Sequence, residues 1–326
     1  MRRWSAAGLA LGLGVLIAVL AWQGLAIVAA GLAEAGWQLL WLPVYFLFPL
    51  ALAAASWQAL FPPGVGPGPG LAVRGTWVAL AVNWLLPVAQ VGGELARGRV
   101  AVQRGLPLPE TAASLVADKT LQVVSQLAYT LLGVALFAGQ YTGQTLVAAA
   151  LGGSALLAAL TFGFYRVQRR GLFGLLSRMV HRLLGEASRE RVEQAASQSD
   201  SALHAVYGRR GRLAAALAWR VGCRLAMAGE VYLALQFLGE PVSLADAIIL
   251  ESLGQAVRSA AFAIPGGLGA QEAGFALLGL ALGIGPDTGL ALSLAKRVRE
   301  LALGLPGLAA WQLAEARRAV PGGAPG

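Results

Sequence analysis

Eleven ionisable side chains fall in or against long apolar runs: Asp118, Lys119, Arg220, Arg224, Glu230, Glu251, Arg258, Lys296, Arg297, Arg299 and Glu300. At the centre of a bilayer each such charge costs about 2.5–3.5 kcal/mol on insertion scales, so each must face a partner, water or a polar ligand. Glu94 and Glu272 stand at glycine-bearing breaks. Glu94, Lys119, Arg258, Glu272, Lys296 and Arg297 are therefore the candidate lining of a polar cavity for an anionic or polar lipid headgroup, because dry ammonium and guanidinium groups bind oxyanions through charge-assisted hydrogen bonds. Mutual pairing is the competing reading. Lys296 and Glu300 share a helix face, Asp118 can neutralise a neighbouring lysine, and arginines near segment ends can snorkel to headgroups.

Bond-making chemistry in water finds little support. His181 and His204 both lie in an arginine-rich stretch without clustered carboxylates, and no P-loop or Gly-x-Ser-x-Gly motif is present. Cys223 is the one cysteine, which excludes a disulfide framework and a cysteine-based metal cluster. No cofactor or metal is expected.

The charges recur in a pattern. Glu94 follows Pro87 by seven residues, and Glu272 follows Pro265 by seven. Then come Pro109-Glu110-Thr111 with Lys119, and Pro286-Asp287-Thr288 with Lys296, each lysine ten residues past its proline. These are the chain's two lysines, and the offset between matched positions is 177 or 178 residues. The agreement argues for an internal duplication with units near 72–138 and 243–314. Pro87, Gly92 and Gly93 in one unit, and Pro265, Gly266, Gly267 and Gly269 in the other, mark a structural break. Such breaks let unwound backbone meet a ligand inside a bundle, although a bend or a close helix contact would use the same residues.

The elements that hold these residues follow from composition. Of 326 residues, 57% are hydrophobic and 13% charged. Mean hydropathy is +0.65. A crossing needs about 20 apolar residues, so the chain reads as a single all-α, polytopic membrane domain over 1–326, with about 7–9 membrane segments. Apolar segments lie near 6–30, 37–60, 72–91, 112–138, 144–165, 212–238, 243–264, 273–284 and 288–314, the eighth too short to span alone. The first follows Arg2 and Arg3 and exceeds a signal peptide's apolar region, so it reads as an uncleaved helix. Phe61 to Gly70 is a proline- and glycine-rich loop.

Residues 166–211 form the one long polar stretch. There Leu172, Leu176, Met179 and Leu183 recur at helical spacing opposite Arg170, Arg178 and Arg182. That is the pattern of a helix on anionic headgroups, or of one packed on the protein's own cytoplasmic face. The net charge of +9 suits positive-inside sorting and anionic lipid better than nucleic acid. With Arg317 and Arg318 at the end, the C-terminus is expected in the cytoplasm. Inversion of the two units follows from these orientations. The weak point is 72–91, flanked by Arg74 and Arg97, which both favour the cytoplasm unless a re-entrant or broken helix lies between them.

Asn83-Trp84-Leu85-Leu86-Pro87 through Glu94, and Ile264 through Glu272, resemble the membrane region of the lysylphosphatidylglycerol synthase family, a flippase-like superfamily. The likeness covers nearly the whole chain. Gly269-Ala270-Gln271-Glu272, Ala291 through Arg297 and Leu305 through Gln312 further resemble its hopanoid-biosynthesis-associated branch. The resemblance implies translocation of a membrane lipid, a hopanoid or a polar phospholipid, across the bacterial inner membrane. In the synthases aminoacyl transfer belongs to a separate soluble C-terminal domain. This sequence ends at Gly326, a dozen residues past the last apolar segment, so synthase activity is not expected. An intramembrane lipid-modifying enzyme and a scaffold for hopanoid-pathway proteins are the alternatives, and a homo-oligomer is left open.

Overall fold

The computed structural model describes residues 36–86, 92–140, 144–180, 186–260 and 269–319, which form eleven α-helices and no strand. After a 3-10 turn at Trp37–Leu40 come α1 (Trp41–Ala59), α2 (Pro69–Leu85), α3 (Gly92–Gln103) and α4 (Leu108–Gln140). Then follow α5 (Gln144–Arg169), α6 (Leu172–Val180), α7 (Glu186–Gly208) and α8 (Arg210–Phe237). The chain closes with α9 (Leu244–Ala260), α10 (Ala270–Ala281) and α11 (Pro286–Ala319). The expected first segment, 6–30, and the break residues Pro87, Pro265, Gly266 and Gly267 lie outside the described residues.

Trp37–Ala59 and Leu108–Gln140 have the length and apolarity to cross a membrane, with mean hydropathies of 1.9 and 1.6. α8 and α11 run for 28 and 34 residues, but embedded charges interrupt their apolar character. α2 and α9 have 17 residues each and α3 and α10 have 12 each, fewer than the roughly 20 that a crossing needs. These short helices are paired as arms of hairpins.

In the first hairpin, Pro69 opens α2 at a position where its missing N–H costs nothing. Leu86 ends it in an extended conformation (φ −107°, ψ 146°), as the residue before a proline must. α3 then returns along α2. A Cβ on Gly93 would lie 2.2 Å from the Ala79 carbonyl oxygen, so only glycine fits there. Gly93 N–H donates to Asn83 Oδ1 at 2.9 Å, which satisfies one of the orphan donors at the start of α3. The sequence pattern missed α3. Its Arg97 read as a cytoplasmic charge, yet it is 1% exposed and belongs to the interior. Arg97 is held by buried carboxylates, so it is no guide to the side of the membrane on which 72–91 ends.

The second hairpin repeats the plan. Gly254 meets the Phe275 ring and Gly274 meets Val257, which sets α9 and α10 antiparallel. Each hairpin leads through a short turn into a long helix, α4 of 33 residues or α11 of 34. The long helices cross to the opposite half: α4 packs on α9, and α11 packs on α2. Glycine permits both crossings, since a Cβ on Gly133 would strike Ser252 Oγ and one on Gly307 would meet Ala81 and Trp77. Trp77 Nε1 donates to the Leu303 carbonyl at 2.8 Å and Gln126 Nε2 to the Ser252 carbonyl at 3.3 Å, bonding the crossings. α1 and α8 pack against each other and precede equivalent hairpins. Outward faces carry exposed Trp37, Trp41, Phe48, Phe162, Leu277 and Leu280, apolar surface suited to acyl chains.

The described parts of the polar stretch are largely helical, in the end of α5, in α6 and in α7. α6 packs on α7, and α7 packs on α4 through Leu203 and Val206. Asp200 of α7 accepts from the N–H groups of Phe173 and Gly174 at 3.0 and 2.9 Å, capping α6. Of the apolar stripe expected there, Leu172 opens α6, while Leu183 lies outside the described residues. Tyr207 donates to Gln168 Oε1, and burial raises the pKa of its hydroxyl.

Candidate functional site: a charged belt at the hairpin tips

Twelve residues of α-helix rise about 18 Å, so α3 carries its first turn from the start of α4 to a level near residue 120, well inside the long helix. That geometry sets Glu94 beside the α4 charges. Arg97 bridges Glu94 and Asp118, the latter at 2.6 Å, and Asp118 also accepts from Arg220 of α8. Gln122 donates to Asp118 at 3.1 Å and lies 3.5 Å from Glu94. The Arg97 guanidinium stacks on Trp57, 4.6 Å from the ring centroid. Lys119 lies in the field of Glu94 and Asp118. Arg224, one turn beyond Arg220, donates to the Gln122 carbonyl at 3.4 Å and feels Glu251 from α9.

The second hairpin builds the counterpart. Glu272 in the first turn of α10 accepts from Gly269 N–H at 2.7 Å and from Arg297 at 3.2 Å. Arg258 of α9 donates to Glu300 at 2.5 Å and to Gln271 at 2.6 Å, and Arg297 also reaches Glu300 at 3.2 Å. Lys296 pairs with Glu251 at 2.5 Å. Arg299 joins Glu230 of α8 at 2.8 Å and lies over Phe46 and Trp84.

The six sequence-derived site residues therefore divide. Glu94 and Lys119 belong to the N-terminal cluster; Arg258, Glu272, Lys296 and Arg297 belong to the C-terminal one. Pairing differs from the expected partners: Lys296 takes Glu251 rather than Glu300, and Asp118 takes two arginines. Arg97, Gln122 and Gln271 were not among the sequence-derived site residues. The i,i+3 spacing of Glu94 to Arg97 and the i,i+4 spacing of Asp118 to Gln122 were the available signals. Gly92 and Gly93 open α3, and Gly269, with φ of 77°, stands at the N-cap of α10, where glycine tolerates the left-handed conformation.

Both clusters are largely buried: Arg97, Asp118 and Arg220 in the first and Arg258, Lys296, Arg297, Arg299, Glu230, Glu251 and Glu300 in the second, while Glu94, Lys119, Gln122 and Arg224 of the first and Glu272 of the second are half-buried. A separate cleft of about 720 Å³ lies between α6 and α7, lined by Ser177, Glu193, Ser197, Asp200 and His204.

A family model described as the lysylphosphatidylglycerol synthase TM region matches residues 6–307. The chain belongs to the lysylphosphatidylglycerol synthase TM region family. No curated protein and no solved structure matches the chain significantly. Family membership makes this a helical membrane protein whose function concerns membrane lipid. The matched region contains both hairpins and the whole belt, so the buried ions are part of the family's membrane domain.

Proposed function

We propose that the chain is a flippase-like lipid translocase of the bacterial inner membrane, linked to hopanoid biosynthesis or transport, with its C-terminus in the cytoplasm. Two inverted halves move against each other about the belt. The observation that carries this reading is the matched sequence of helices, 17, 12 and 33 residues in one half against 17, 12 and 34 in the other. The recurring proline, glutamate and lysine spacing supports the same duplication. Including α1 and α8, the halves extend to residues 41–140 and 210–319.

Broken helices that end inside the bundle offer free backbone donors and a change of partner at modest cost, which suits alternating access. Ions in the belt exchange one partner for another as the halves rock, and a headgroup passing the tips replaces one carboxylate or cation in turn. Anionic headgroups at the basic stretch 166–211 would hold the cytoplasmic side in register. The linkage to hopanoids rests on the segments ending at Glu272, Arg297 and Gln312 that resemble that branch.

Lipid profiling of separated inner and outer membranes, in cells with and without the chain, tests the reading. Hopanoids and aminoacylated phospholipids are both measured. A changed distribution with unchanged totals is expected. Disappearance of one lipid with accumulation of its precursor would replace translocation by lipid modification or scaffolding.

A further inference from the structure

His204 makes two contacts that demand one charge state. Its Nδ1 lies 2.8 Å from the Asp200 carbonyl, one turn back along α7, and its Nε2 lies 3.3 Å from the Arg169 carbonyl at the end of α5. Both partners are carbonyl oxygens and can only accept. A neutral imidazole has one N–H and turns a lone pair towards the other oxygen, whereas the imidazolium donates at both nitrogens.

The surroundings suit a cation. The Arg169 carbonyl is one of those that end α5 without a helical donor: the carbonyls of Val167 and Gln168 accept from the N–H groups of Arg170 and Gly171, and that of Arg169 accepts from His204. Positive charge is favoured at this negative end of a helix. Glu193 and Asp200 of α7 line the same cleft as His204, and α6 brings Gly174 and Ser177 to it. From α5 the Tyr165 ring meets Tyr207, and the Arg169 and Arg170 side chains are exposed to solvent. Arg209 is turned to the Ala205 and Leu60 carbonyls.

The contact reaches the belt through its neighbours. Gln168, next to Arg169, is buried and donates to Thr120 Oγ1 of α4 at 2.9 Å, and Tyr207 of α7 donates to Gln168 Oε1. Thr120 follows Asp118 and Lys119 in the chain. Leu203 and Val206, on either side of His204, rest on α4.

We infer that His204 is a proton-operated strap. Protonated, it ties the end of α5 to α7 and keeps the polar stretch docked on α4 beside the belt; deprotonated, it releases one of its two carbonyls. The docked state holds the extra proton, so docking is strongest in acid and weakens as pH rises through the imidazole range. The strap acts whether or not the chain moves lipid.

Hydrogen exchange of the detergent-purified full chain at about pH 5.5 and about pH 8, corrected for the pH dependence of chemical exchange, provides the test. Relative to α1, amide protection in α7 and at the end of α5 is expected to fall about two- to fivefold at the higher pH, the effect of a cation at an exposed helix C-terminus. His204→Gln gains no proton and should show the low protection at both pH values. His204→Arg, always charged and with several donors, should show the high protection at both. His181→Gln, which removes the chain's other histidine, should leave the response in place. Protection in the parent that is indifferent to pH, or a His204→Gln chain that still responds, overturns the strap. So does a response that vanishes with His181→Gln.

Discussion

Replacing Asp118 by asparagine is the sharpest probe of how the belt is held. Asp118 is fully buried and accepts from both Arg97 and Arg220. Asparagine keeps the shape and one acceptor but removes the charge. Arg97 retains Glu94, whereas Arg220 loses the one carboxylate it pairs with among the described residues. Stranding one member of a buried pair costs about 3–5 kcal/mol, and the retained acceptor places this case near the lower end. For a chain of this size about 1 kcal/mol moves the midpoint by roughly 2 °C, so a fall of about 6–8 °C is expected. Cys223 supplies the assay. It is the single cysteine, free and buried on α8 between Arg220 and Arg224, so a thiol-reactive fluorogenic dye reports unfolding at one known position. Adding Arg220→Gln should recover at least half of the loss, because the stranded charge is then gone. An Asp118→Asn midpoint within about 2 °C of the parent, or a double variant worse than the single, would refute the account.

Further outcomes follow from the same geometry. Lys296→Ala leaves the buried Glu251 with Gln255 as its remaining hydrogen-bond partner among the described residues, so activity should be lost together with about 3–5 kcal/mol of stability, read by the same dye assay. Glu272→Gln, with its side chain 25% exposed, should instead abolish lipid redistribution while the midpoint stays within about 2 °C. A normal lipid distribution in well-expressed Glu272→Gln would remove that carboxylate from the mechanism. Gly93→Leu should prevent closure of the first hairpin and reduce the folded yield seen by size-exclusion chromatography, since a Cβ there strikes the Ala79 carbonyl. Asp200→Ala uncaps α6 at a cost of about 1 kcal/mol and should speed proteolysis within 166–211 without changing the belt.

Much of the architecture was legible in the sequence because hydropathy and backbone breakers act locally. Apolar runs gave the long helices, Pro87 after Leu86 marked the break that follows α2 although the apolar run itself continues to 91, and charges in apolar runs pointed to the belt. The recurrence of Pro87 to Glu94 as Pro265 to Glu272 is the sequence's argument for the duplication we propose, since a copied segment keeps its spacing. α3 was not legible, because a helix whose polar face pairs with buried carboxylates has no apolar period, and Arg97 alone looks like a cytoplasmic charge. Partner choice was not legible either. Lys296 could reach Glu300 along its own helix, but the crossing of α11 over α9 brings Glu251 closer and leaves Glu300 to Arg258. Sequence by itself determined that ionisable residues fall within apolar runs and that prolines and glycines interrupt those runs. Only the packing of α4, α8, α9 and α11 decided which buried ion meets which, because ion pairing depends on distances between segments far apart in the chain.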